Sequence, residues 1–220
     1  MKSNRIYITE SQFNRLFEAK DDSFSTDELS NIKTLKGRYD YCVQHLGNPI
    51  GRGSSRAVFQ IDDETVLKLA INKKGIAQNN QENDGYLQQL GIVPLIKGYN
   101  NDDLWLVSEF VLPAKEQDFT ETLGISFDTF CRFITASNFY RFGRGECRPS
   151  VSLDKDKYVY LVDNNEDLQA FDEYIGDFNP PIGDLQRIAN YGLCMRDGYP
   201  TIVLLDSGLS EDIYDTYYKR

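Results

Sequence analysis

Histidine is almost missing from this chain. His45 is the only one, so a histidine-built metal site is excluded, and any Ser-His-Asp or Cys-His triad would rest on that single residue. A loop or strand-edge position is expected for it. The four cysteines, Cys42, Cys131, Cys147 and Cys194, include no CxxC pair, which removes a zinc site and a disulfide framework and leaves free thiols as the expectation. No run approaches the ~18 consecutive apolar residues of a membrane span. The opening MKSNRIYITE lacks the apolar core of a signal peptide, so a cytoplasmic location with no membrane partner is expected. Positive charge is also in deficit: 24 Lys and Arg stand against 34 Asp and Glu, a net charge of −10, which argues against a nucleic-acid partner.

What remains is a chain of 220 residues with 40% hydrophobic and 13% aromatic side chains, enough to build a packed core and too apolar for a disordered solvating segment. At roughly 100–200 residues per domain, the length allows one domain or one domain with a structured extension. Nothing repeats internally. Thr9 as an N-cap, with Phe13, Leu16 and Phe17 at helical spacing, predicts a short amphipathic helix over Ile8–Ala19. A polar loop and a weak helical segment follow, and residues 1–37 read as an N-terminal extension.

From Tyr39 the pattern reads as short β-type runs, including Tyr41, Val43, Ala57–Phe59 and Val66–Leu69, punctuated by Gly51-Arg52-Gly53 and Asp62-Asp63-Glu64. An antiparallel meander is expected. Asn72 caps a predicted helix over Lys73–Leu90, with Gly91 at its C-cap, and two more strands follow around the Asn100–Asp103 turn. Beyond Pro113, helices are predicted around Phe127–Ile134 and Asn165–Phe178. Asp197-Gly198 marks a hairpin between two late strands. Arg141, Arg144 and Arg148 read as a solvated loop or, alternatively, a phosphate clamp. The acidic, aromatic tail Asp212–Tyr218 reads as a packing segment or a docking strip.

Three features could carry chemistry. The turn Ile50-Gly51-Arg52-Gly53-Ser54-Ser55-Arg56 would let backbone amides approach phosphate oxygens, although a glycine-bearing hairpin can be only a hairpin. It is neither a Rossmann fingerprint, because a strand follows, nor a Walker loop. Lys68 sits inside the apolar strand Val66-Leu67-Lys68-Leu69-Ala70, where its ammonium needs an anion unless it snorkels to water. Glu82, on the following helix, is the candidate anion, on a face shared with Tyr86 and Leu90.

The order glycine turn, strand lysine, helix glutamate, then two strands ending in Ser108-Glu109-Phe110-Val111 resembles the small lobe of the protein-kinase-like superfamily. Asp184-Leu185-Gln186-Arg187-Ile188-Ala189-Asn190 is similar to the kinase catalytic loop, and Leu205-Asp206-Ser207-Gly208 to a variant of the metal-binding DFG strand end. The short helix followed by a compact core is also similar to small proteins encoded by tailed bacteriophages. The resemblance implies an α+β, two-lobe fold: a five-stranded antiparallel N-lobe with one helix over 38–112, and a reduced, mainly helical C-lobe over 113–220 that ends shortly after a DxG motif.

The resemblance also implies ATP and Mg²⁺ as cofactors. Gly51, Gly53 and Ser54 would cover the phosphates, Lys68 would contact them, Glu82 would orient the lysine, and Glu109 to Val111 would receive adenine. Asp184 would position an acceptor hydroxyl, and Asn190 and Asp206 would hold the metal. Departures accompany the match. Arg56 stands where the third glycine belongs, Asp184 and Asn190 are six apart where kinases have five, and Ile182-Gly183 replaces the usual His-Arg. Only twelve residues follow Gly208, so the usual peptide platform is expected to be absent, or completed by a partner chain.

The expected activity is therefore transfer of the γ-phosphoryl group to a hydroxyl on a protein or a small molecule. The alternative is a pseudokinase acting as a binding or structural module. A third reading, an unrelated α+β protein with chance motifs, requires that Lys68 and Glu82 not face each other.

Overall fold

Period-two alternation along the central strands sets the architecture. The computed structural model describes residues 24–145, 148 and 150–219; the helix expected over Ile8–Ala19, and Cys147, lie outside them. Strands β1 (Gly51–Arg52), β2 (Arg56–Gln60), β3 (Thr65–Ala70), β4 (Ile96–Tyr99) and β5 (Trp105–Glu109) form a five-stranded antiparallel sheet in the order β1-β2-β3-β5-β4. One face carries Ala57, Phe59, Leu67, Leu69 and Trp105, all buried. The other carries Val58, Val66, Lys68 and Ser108.

The first face is covered by two helices, α1 (Thr26–Asn31) and α2 (Leu35–Leu46), which contribute Leu29 and Cys42 to the same apolar cluster. Ser30 of α1 accepts from the Trp105 indole Nε1 at 3.1 Å, fixing α1 against the sheet. Here the structure corrects the sequence reading. Tyr41 and Val43 are helical, and α2 runs straight through the boundary expected at residue 37. The physical reason is a helical repeat, Tyr39, Cys42, Val43 and Leu46 at i, i+3, i+4 and i+7, bracketed by caps. Thr34 Oγ1 accepts from the Gly37 amide at 3.0 Å, and Gly47 closes the end with φ +80°. His45 lies in the last turn of α2, against the Tyr41 ring at 4.3 Å.

Helix α3 (Lys73–Glu82) starts where expected, with Asn72 Oδ1 accepting from Lys74 and Gly75. It stops eight residues earlier than the sequence suggests, because the Asp84 carboxylate accepts from Tyr86 and Leu87 and starts a separate helix, α4 (Gly85–Gln89). Tyr86 is consequently 44% exposed, not on the inward face of Glu82. Gly91 takes the expected left-handed conformation with φ +73°.

The second half builds a larger apolar cluster from α5 (Glu116–Leu123), α6 (Phe127–Phe142), α7 (Lys155–Asn164) and α8 (Glu166–Phe178). Phe119, Phe130, Phe171 and Tyr191 meet there in edge-to-face and tilted pairs, and Phe133 stacks on Phe130. A short helix, α9 (Ile182–Leu185), and a 3₁₀ turn (Ile188–Asn190) lead to a three-stranded sheet, β6 (Leu112–Pro113), β7 (Tyr191–Arg196) and β8 (Tyr199–Leu204). Asp197 and Gly198 make the expected hairpin turn, both with positive φ. The chain then returns to the first half through α10 (Glu211–Tyr217).

This tail packs onto α3. The Lys74 ammonium lies 4.2 Å from the Tyr218 ring centre, and Gln78 Nε2 donates to Tyr218 Oη at 3.3 Å. Two of the three arginines considered for a clamp pair with carboxylates: Arg141, in the last turn of α6, with Asp172, and Arg144 with Glu211. Among the described residues no helix is long and apolar enough to cross a membrane.

Candidate functional site

Lys68 lies mid-strand in β3, opposite Val58 and Leu106, so its side chain leaves the sheet on the face away from α1 and α2. α3 brings Glu82 to meet it. Lys68 Nζ donates to Glu82 Oε2 at 2.6 Å, and also to the Leu205 carbonyl at 2.7 Å, across 137 residues of chain. Lys68 and Glu82 are both buried. The reading that needed these groups apart is therefore inconsistent with the fold.

A third partner was not anticipated. Arg56, at the start of β2, places Nη2 between Glu82 Oε1 at 2.7 Å and Asp206 Oδ1 at 2.5 Å, while Nη1 reaches Asn79 Oδ1 at 3.3 Å. Alternation along β2 points Arg56 the same way as Val58, so the strand pattern carried the signal. Reading position 56 as a missing glycine concealed it. Burial opposes the charge on both Glu82 and Arg56, but the pairing overcomes it. Arg56 and Lys68 hold the Glu82 carboxyl near 2, and Glu82 and Asp206 raise Arg56 above its ordinary value.

Two glycines let α3 come close enough to complete this cluster. A Cβ on Gly75 would stand 2.2 Å from the Ser55 carbonyl oxygen, and one on Gly208 would stand 2.6 Å from the Gln78 carbonyl oxygen. Gly208, two residues after Asp206, thus joins the DxG segment to α3.

A cleft of about 460 Å³ opens beside these charges. Its aliphatic lining comes from Ile50, Val58, Val66, Val111 and Leu205, and its polar lining from Arg56, Lys68, Asn190 and Asp206. That volume lies in the range of small-molecule pockets. A smaller cavity of about 120 Å³, lined in part by Tyr174, Asp184 and Arg187, shares Asn190 and Asp206 with the cleft. No family model, no curated protein and no solved structure matches this chain.

The expected site residues distribute as follows. Gly51 and Gly53 line the cleft, and the Gly53 amide closes a tight turn on the Arg56 carbonyl at 2.9 Å. Ser54 does not line it; its carbonyl accepts from Asn72 Nδ2 at 2.7 Å, and Ser55 lines the cleft instead. Glu109 borders the cleft, but its amide donates to the Leu95 carbonyl at 3.0 Å and its carboxylate holds Arg196, so neither group is available to adenine. The Phe110 amide is likewise engaged by the Glu64 carbonyl, at 2.6 Å. Val111 lines the cleft without those ties.

Asp184 faces the smaller cavity, pairing with Arg187 at 3.2 Å. Asn190 Nδ2 donates to the Asp184 carbonyl at 2.8 Å, and the Asn190 carbonyl accepts from the Leu205 amide at 2.8 Å, which ties the 3₁₀ turn to the residue before Asp206.

The fit to Mg²⁺ is poor. Asn190 and Asp206 supply hard oxygen donors in one cleft, yet Asp206 Oδ1 is taken by a guanidinium. Among the described residues no three His, Cys, Asp or Glu side chains converge as a metal-binding group. The described thiols are free, and burial raises Cys42 to about 12 and, with nearby carboxylates, Cys131 to about 11, so neither serves as a thiolate nucleophile at neutral pH.

Proposed function

We propose that this chain is a kinase-like nucleotide-binding domain whose cleft receives ATP. The observation that carries the reading is the buried Lys68–Glu82 pair, set in an aliphatic-walled cleft beneath a glycine-bearing turn, with Asp206 reaching the same point from the far end of the chain. The sheet order β1-β2-β3-β5-β4, with α3 between β3 and β4, supports a kinase-like N-lobe. Aliphatic walls suit a flat base, and Arg56 and Lys68 with the Gly51 and Gly53 backbone suit phosphates. Lys68 has one ammonium proton left after Glu82 and the Leu205 carbonyl are served. It binds and orients phosphate oxygen while Glu82 fixes its position.

If phosphoryl transfer occurs, Asp184 orients the acceptor hydroxyl from the 120 Å³ cavity, whose size favours a small hydroxyl group over an extended peptide. A second reading, nucleotide binding without transfer, draws on one observation: the Asp184 carboxylate is already paired with Arg187.

Thermal melts with and without ATP test the binding. ATP at 100 times its Kd should stabilise the native state by about 2.7 kcal/mol, and Lys68→Met should weaken binding at least tenfold. A wild-type midpoint unmoved by millimolar ATP refutes the proposal. Labelled ATP then separates the two readings: transfer that Asp184→Asn slows about 100-fold or more while binding persists supports a phosphotransferase, and binding with no labelled product supports the module.

A further inference from the structure

Arg56 is the one charged group of the cleft that no expected role explains. Its side chain is only 7% exposed and held by acceptors from two distant parts of the chain, Glu82 and Asn79 on α3 and Asp206 after β8. Charge accounting shows what it changes. Lys68, Glu82 and Asp206 alone sum to −1, and such a site needs an added cation before it can accept a polyphosphate. With Arg56 the four groups sum to zero before any ligand arrives, and the two cations both line the cleft.

The same contact obstructs a metal. A divalent ion on Asp206 would bind at about 2.0–2.1 Å from a carboxylate oxygen, next to an oxygen that already has a guanidinium nitrogen at 2.5 Å. The two cations would compete for one half-exposed carboxylate. A guanidinium is also a strong phosphate ligand in its own right, because its planar fork matches two phosphate oxygens.

We propose, resting on the reading that the cleft takes a nucleotide, that Arg56 is a resident cation standing in for the divalent ion at Asp206, so that a nucleoside di- or triphosphate binds without divalent metal. Asp206 is then the resting counter-ion of Arg56, partly released when phosphate arrives. On binding, the Arg56–Asp206 contact loosens at its solvent-exposed end and the guanidinium turns part of its donor set toward phosphate. Glu82 and Asn79 retain the rest.

The test is calorimetric titration and thermal melting of the full chain with ATP plus EDTA, ATP plus Mg²⁺, and Mg²⁺ alone, at matched ionic strength. The expected result is an ATP affinity in EDTA within threefold of that in Mg²⁺, and no midpoint shift from Mg²⁺ alone. ATP binding that EDTA weakens tenfold or more overturns the role of Arg56 and leaves the nucleotide reading standing. Absence of ATP binding in both conditions removes the nucleotide reading itself, and this proposal with it. Arg56→Met should lower ATP affinity in EDTA at least tenfold, with Arg56→Lys recovering part of the loss; equal affinities for wild type and Arg56→Met overturn the proposal. Should Arg56→Met fail to fold, Asp206→Asn decides: it frees Arg56, so affinity in EDTA should hold or rise, and a tenfold loss overturns the proposal.

Discussion

Replacing Glu82 by glutamine keeps the size of the side chain and removes one negative charge from a set of four charged groups, three of them buried. In the wild type, Arg56, Lys68 and Glu82 have side chains 7%, 8% and 3% exposed. Glu82→Gln leaves two buried cations facing one carboxylate, Asp206, that is half in solvent. Removing one member of a buried ion pair costs about 3–5 kcal/mol. The titration agrees in direction: burial opposes the charge, but Arg56 and Lys68 hold the Glu82 carboxyl below its ordinary value.

The sign follows from the direction. A folded-state pKa below the unfolded one contributes stability that is complete above about 4.5 and is lost as pH falls toward 2. Glu82→Gln should therefore lower Tm at pH 7 by about 6–12 °C, at about 2–4 °C per kcal/mol for a chain of this size. It should also flatten the fall in Tm between pH 4.5 and 2. Adding Lys68→Met restores neutrality, so the double variant should be destabilised by about 2 kcal/mol less than the sum of the singles. Circular-dichroism melts and urea titrations across that pH range measure both effects. A Glu82→Gln midpoint within 2 °C of wild type at neutral pH, or additivity within about 0.5 kcal/mol, would refute the closed four-charge cluster.

Two further outcomes probe how the cluster is positioned. Gly75→Ala should destabilise by about 1–3 kcal/mol, because its Cβ would meet the Ser55 backbone oxygen at 2.2 Å and outweigh the gain in helix propensity. Gly85→Ala, with nothing within 4 Å of the new Cβ, should be neutral or stabilising, and the contrast in urea midpoints checks the close approach. In the second half, Asp172→Asn should cost about 2–3 kcal/mol, because that carboxylate accepts from Ser137, Tyr158 and Arg141 together. Burial and Asp172 raise the Tyr158 phenol to about 12, and its ultraviolet titration should move down in the variant.

The sheet was legible in the sequence because its strands alternate cleanly and its turns carry Gly, Asp and Asn in the right places. The hairpin at Asp197-Gly198 and the cap at Asn72 were legible for the same local reason. Where two periodicities overlapped, the reading slipped. Tyr41 and Val43 fit a period of two, yet the repeat from Tyr39 to Leu46 has the helical spacing that won once it had a sheet face to cover. Helices α5 and α7 were missed altogether: α5 is mostly polar, and in α7 only Tyr158 is buried, so each shows little of the apolar stripe that pattern reading relies on. Lys68 and Glu82 could be paired from sequence because an ammonium in an apolar strand demands an anion. Asp206 could not be tied to them by any local pattern, because that contact is a property of the closed chain.

Arg56 shows how a motif can hide a residue. Comparison with a glycine-rich loop registers position 56 as a loss, whereas the physical question is where a guanidinium in an apolar strand finds its acceptors. The answer spans 26 residues to Glu82 and 150 residues to Asp206. Asp206 closely follows the last strand, so this end of the cleft is complete only when that strand has docked. The glycine at 208 against Gln78, the Tyr218 ring against Lys74 and the Leu205 carbonyl on Lys68 all act on the same two elements, α3 and β3. The end of the chain therefore serves as a brace that sets the position of Glu82, and through it the two cations. A substitution in the tail and one in the glycine turn should for that reason perturb the same ligand affinity, although no side chain of the tail lines the cleft.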